Sequence, residues 1–104
     1  RKEIFYPAIN YSSEHQYITK LETKVLKRVL DKRVIKASDL KEFFPGKHSA
    51  EISRQIRKLI AKKMLISEVN NPRKYVIRFD NSYLLRGIIK ILGDKGFLPI
   101  NDGS

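Results

Sequence analysis

The side chains best suited to chemistry sit in "SAEISRQIRKLIAKKMLI", residues 49–66. Ser53, Arg54 and Arg57 fall there on the side of a helical wheel away from Ile52, Ile56 and Leu59. A guanidinium offers a rigid fork of N–H donors that matches the two acceptors on the major-groove edge of guanine, whereas Lys and Ser suit phosphate oxygens. Lys58 follows in the same segment. Lys47 and Ser49 stand at its entrance, where unbonded backbone N–H groups and the positive end of a helix dipole favour an anion. A second basic pair, Arg73 and Lys74, adjoins the turn formers "NNP". These eight residues are the candidates for holding a polyanion, with Arg54 and Arg57 reading bases and the lysines fixing register. The plainer reading of the helical ones is the solvated face of an amphipathic helix.

The supply of catalytic groups is thin. His15 and His48 lack the neighbouring His, Cys or acid that a metal site needs, and read as a helix-start residue and a turn residue. Asp31, Asp39, Glu42 and Glu51 form no obvious pair. Gly87, Gly93 and Gly96 have the spacing of packing and capping glycines, not of a phosphate loop. The expectation is a non-enzyme with no metal or cofactor.

Composition points to the same partner. The 104 residues carry 22 Lys+Arg against 11 Asp+Glu, a net charge of +11, so a polyanion is the first ligand to consider. The absence of cysteine excludes disulfides and thiolate metal sites and weakly favours the cytosol, or the nucleoid or nucleus for a DNA-bound protein. No apolar run approaches the ~20 residues of a membrane span, and "RKEIFYPAINYSS" lacks the apolar centre of a signal peptide. A chain that opens on Arg1 without Met suggests a piece of a longer protein. The apolar fraction of 41% suffices for one modest core.

The elements that must position the basic residues follow from periodicity. Residues 1–13 mix aromatics with Pro7 and Asn10 and predict an extended lead-in, partly packed through Phe5, Tyr6 and Tyr11. Ser12 or Ser13 would cap a first helix, with Glu14 in its first turn and Ile18, Leu21, Val25, Leu26, Val29 and Leu30 along it to about residue 32. Val34 and Ile35 suggest a short extended segment. Ser38 would cap a second helix over 39–44, closed by Pro45 and Gly46. Ser49 would cap a third, running to about residue 63 with Ile52, Ile56, Leu59 and Ile60 inward. Two strands follow, "MLISEV" and "KYVIRF", with "NNPR" at the hairpin tip. Asp80 or Asn81 would cap a fourth helix in "SYLLRGIIKILGDKG", ended by Gly93 and Gly96, and residues 99–104 form a tail.

Helix, extended segment, helix, helix, hairpin: over residues 17–79 this order resembles the winged helix-turn-helix superfamily. The resemblance implies an α+β domain over residues 14–98, with a three-helix core, a two-stranded β-hairpin wing and an additional C-terminal helix. It also implies that the third helix enters the DNA major groove, with Ser53, Arg54 and Arg57 at base edges and Lys47, Ser49, Lys58, Arg73 and Lys74 on phosphates. The run "RKYVIRFDNSYLLRGIIKILGDKGFLP" is similar to the C-terminal end of some bacterial Fic-family proteins, whose catalytic His-Pro-Phe and Gly-Asn-Gly-Arg signature is missing here. That resemblance implies an accessory domain without the enzyme.

The expected function is therefore double-stranded DNA binding, as a transcriptional regulator or as the DNA-binding or regulatory module of a larger bacterial protein. The rival is a protein-interaction or dimerisation module on the same frame. Its contact would be the fourth helix, where Leu84, Leu85, Ile88, Ile91 and Leu92 are too many for one inward stripe. The cover would be the aromatic lead-in, a second copy or a neighbouring domain. Gly87 within that helix costs up to ~1 kcal/mol relative to Ala, which a close backbone approach would offset. RNA binding is a third reading, against which Phe43, Phe44, Tyr75 and Phe79 look like core rather than a stacking platform.

Overall fold

The computed structural model describes residues 2–97. It is a small α+β domain with the order α1 (Lys2–Glu14), α2 (Lys20–Lys32), β1 (Ile35–Lys36), a 3-10 helix (Ala37–Phe43), α3 (Ser49–Ala61), β2 (Leu65–Glu68), β3 (Asn71–Ile77) and α4 (Ser82–Asp94). The strands form one antiparallel sheet in the order β1-β3-β2. The expected tail at 99–104 lies outside the described residues.

The lead-in expected to be extended is helical. Pro7 sits within α1, where it withholds one N–H from the helix ladder and would by itself argue against a helix. Tertiary packing overrides that preference. Ala8 and Ile9 are fully buried, and the Ala8 carbonyl lies so close to Gly87 that a Cβ built there would stand 2.4 Å from its oxygen. Phe5 stacks on Phe79 with ring centroids 4.0 Å apart. Helix α1 is thus the cover over α4, and Leu84 is buried beneath it.

The first expected helix starts later than Ser12 or Ser13. Ser12 is buried inside α1, and His15, expected at a helix start, follows the end of α1, stacked on Tyr11 with its Nδ1–H donated to the Tyr11 carbonyl at 2.9 Å. The cap of α2 is Thr19. Its Oγ1 accepts the Glu22 N–H at 3.0 Å while the Glu22 carboxylate accepts the Thr19 N–H at 2.9 Å. Such a reciprocal box satisfies two otherwise orphaned donors and is worth about 1 kcal/mol. Val25, Leu26 and Val29 then point into the core.

The second helix is 3-10 rather than α, and it begins before Ser38. Its start is fixed by Asp39, whose carboxylate accepts the Lys36 N–H at 2.9 Å. Buried Leu40 anchors it from one side. From the other, Arg28 reaches Glu42 at 2.6 Å and Lys32 reaches Asp39 at 3.6 Å, so α2 clamps it at two points. Helix α3 has His48 at its N-cap without a side-chain cap bond, and Ser49 is its first residue rather than its cap. Ile52, Ile56 and Leu59 are buried as expected, and Ile60 is half-buried.

Helices α1, α3 and α4 end alike. A residue in the left-handed region follows each: Gln16 and Lys63 at φ 61° and Gly96 at φ 79°. The next N–H then returns to the carbonyl five residues back, as from Met64 to Leu59 at 2.9 Å and from Phe97 to Leu92 at 2.8 Å. Gly93, expected to help end the fourth helix, lies inside it. Asn81 is the N-cap of α4. Its Oδ1 accepts the Leu84 N–H at 3.0 Å, and its Nδ2 donates to the Lys63 and Arg78 carbonyls at 3.0 and 3.1 Å. This buried amide ties the end of α3 to the start of α4.

The hairpin reverses at residues 69–70, one step earlier than "NNPR". Glu68 pairs with Asn71 while Ser67 pairs with Tyr75, so residues 72–74 bulge out of the β2–β3 ladder. The chemistry is local: Pro72 has no N–H to give the ladder, and the Arg73 N–H is taken by Asn71 Oδ1 at 3.0 Å. The bulge sends Arg73 sideways from the sheet toward α3.

Candidate nucleic-acid interface

An open groove of about 570 Å³ runs between α3 and the sheet, lined by Lys36, Ala37, Ser38, Ser53, Arg57, Arg73 and Tyr75. Three elements build it. Helix α3 supplies Ser53 and Arg57 one turn apart, because burial of Ile52 and Ile56 turns these two outward. The bulge in β3 supplies Arg73. The Lys36 N–H bond to Asp39 holds the joint between β1 and the 3-10 helix, and so Lys36 itself, at the groove wall.

No acid lines this groove, and no described carboxylate lies within salt-bridge distance of Lys36, Arg57 or Arg73. The acids are spent elsewhere. Glu22 holds Lys62, Glu42 holds Arg28, Asp80 holds Arg78, and Asp31 holds Lys2 and accepts the Tyr6 hydroxyl. Three of these carboxyls lie below their ordinary range: Asp31 is lowered by the Tyr6 hydrogen bond, Glu42 by Arg28 and Asp80 by Arg78. Like charges gathered in a concave, acid-free groove raise the local potential for an anion.

Of the eight residues expected to bind, the structure brings Ser53, Arg57 and Arg73 together and sets the others apart. Arg54 is engaged: its guanidinium holds Glu51 at 3.1 and 2.7 Å through two nitrogens. Arg54 and a Gln55 amide at 2.7 Å lower the Glu51 carboxyl to about 2. Lys58 faces a separate hollow of about 250 Å³ between α2 and α3, beside Glu22, Phe44 and Lys62. Ser49 lines another of about 300 Å³ against Ala37, Ser38 and Lys41. Lys47 is exposed before α3. Lys74 stands opposite Lys36 in the β1–β3 register and does not line the groove.

Lys36 was missed from the sequence, since nothing local marks it; only the pairing of β1 with β3 brings it beside Arg73. The aromatics follow expectation. Phe44 is buried, and Phe43, Tyr75 and Phe79 pack against the core.

The cover over α4 is partial. Leu84 is buried, whereas Leu85, Ile89 and Phe97 remain 45%, 51% and 65% exposed, so Leu84 drops out of the surface expected to meet a partner. Ile88, Ile91 and Leu92 are half-buried. Among the described residues, no group of His, Cys, Asp and Glu could hold a metal ion, and no helix is long and apolar enough to cross a membrane. Comparison with models of known protein families gives no match, and comparison with curated proteins gives none.

Proposed function

We propose that this chain is a winged-helix domain that binds double-stranded DNA, with α3 in the major groove and the β2–β3 hairpin as its wing. The order α2, β1, 3-10 helix, α3, β2, β3 and the strand order β1-β3-β2 support that frame. The observation that carries the function is the acid-free groove in which Arg57, Ser53, Arg73 and Lys36 meet. In this reading Arg57 meets base edges while Arg73 and Lys36 hold phosphates. Arg54 joins only by exchanging Glu51 for the duplex. The test is duplex binding by Arg57→Ala: loss of a bidentate base contact costs about 1–3 kcal/mol and relaxes preference at one position. An Arg57→Ala protein that binds all duplexes as the parent does would remove Arg57 from the interface.

A second reading rests on the outward strip of α4. Leu85 and Ile89, one turn apart on α4, are exposed apolar residues suited to contact with another protein chain or a second copy, and Phe97 is exposed beyond the helix end. It is compatible with DNA binding, because the groove is built from other elements. Its sign would be association that Leu85→Glu abolishes without changing duplex affinity.

A further inference from the structure

The β1–β3 register sets Lys36 directly against Lys74, and both side chains are exposed. Residues opposed in an antiparallel pair hold their Cβ atoms ~5 Å apart, and like charges there destabilise the sheet. No described carboxylate forms an ion pair with either ammonium. The acid that feels Lys36 is Asp39, and it is engaged by the Lys36 backbone N–H and by Lys32 at 3.6 Å. A lone lysine on β1 would serve to deter strand addition at an edge strand. Two opposed lysines are more than that purpose needs.

We propose that Lys36 and Lys74 form a two-lysine clamp on a single phosphodiester of bound DNA. Lys36 stands both in this pair and on the wall of the α3 groove. The clamp therefore continues that groove from the β1 edge onto β3, the central strand of the sheet, and it fixes where the sugar-phosphate backbone leaves Arg57 and Arg73. Each ammonium donates to the phosphate, whose negative charge removes the repulsion that the free protein carries. The inference rests on the DNA-binding reading and adds the side of the domain along which the duplex exits.

The test uses the full chain with Lys36→Gln, Lys74→Gln and the double substitution. Two quantities are read: the urea midpoint without DNA, and affinity for a mixed-sequence duplex of about two helical turns across a salt series. Each single change is expected to raise the midpoint, and the double to raise it no further, since either change removes the repulsion. Each is also expected to weaken duplex binding several-fold. Because one phosphate is shared, the double should flatten the log-log salt slope by about 0.9 and not by twice that. A raised midpoint with affinity and slope unchanged would overturn the clamp, and so would intact binding with new concentration-dependent association, the mark of an edge guard. Arg57→Ala measured in parallel separates the two claims: weakening there and in Lys36→Gln without weakening in Lys74→Gln overturns the clamp alone, and a parent chain that binds no duplex overturns both.

Discussion

Replacing Gly87 by alanine tests how the first and last helices depend on each other. The new Cβ would lie 2.4 Å from the Ala8 oxygen, 3.1 Å from its carbonyl carbon and 3.2 Å from its Cα, all of them backbone atoms that no rotamer change can move. Ordinary contact begins near 3.4 Å, so the helices must part by about 1 Å, enough to forfeit up to half of the dispersion well along their interface. Overpacking of this kind costs up to about 3 kcal/mol, and alanine's better helix propensity returns about 1. A net loss near 2 kcal/mol is expected, read as a urea midpoint lower by about 1 M or more. Gly93→Ala in the same helix is the control, since a Cβ there meets nothing within 4 Å; it should leave stability unchanged or raise it by up to about 1 kcal/mol. If both substitutions stabilise alike, α1 does not close on α4 as described.

Two further outcomes follow from the charges. Glu51→Gln releases Arg54 and removes an acid from the first turn of α3, so duplex affinity should rise several-fold and the salt slope steepen by up to about 1; unchanged or weaker binding would mean that this face of α3 does not meet DNA. Stability should also fall in acid. Asp39, held by the Lys36 N–H, and Glu51, held by Arg54 at about 2, titrate below their ordinary 3.8 and 4.5, as Asp31, Glu42 and Asp80 also do. A native value below the unfolded one adds stability that is complete above the unfolded value and is lost as pH falls toward the native one. The urea midpoint should hold from neutrality to about pH 5 and drop below about pH 4; a midpoint constant to about pH 2 would contradict these pairings.

Much of the order of elements was legible because burial is periodic: Val25 and Val29, then Ile52, Ile56 and Leu59, repeat at helical spacing and are buried. Helix α1 was not, because Pro7 and the mixed aromatics speak against a helix locally, and what stabilises it is the Ala8 carbonyl against Gly87, a contact across most of the chain. The cap of α2 was available and overlooked: Thr19 followed three residues later by Glu22 is a capping-box signature. The same spacing of Glu51 and Arg54 signals their pairing, which withdraws Arg54 from the bases. Lys36 had no such signal. A two-residue strand shows its neighbours only when the register of β3 is known.

The dependence of duplex affinity on salt tests the central claim most directly. Two cations of the groove, Arg73 and Lys36, are assigned to phosphates, and at about 0.9 per phosphate neutralised they set a log-log slope of about −1.8 or steeper, with Arg73→Ala reducing its magnitude and Arg57→Ala altering base preference instead. A slope between zero and about −1, or no binding to any duplex at low salt, would contradict the assignment of this groove to DNA.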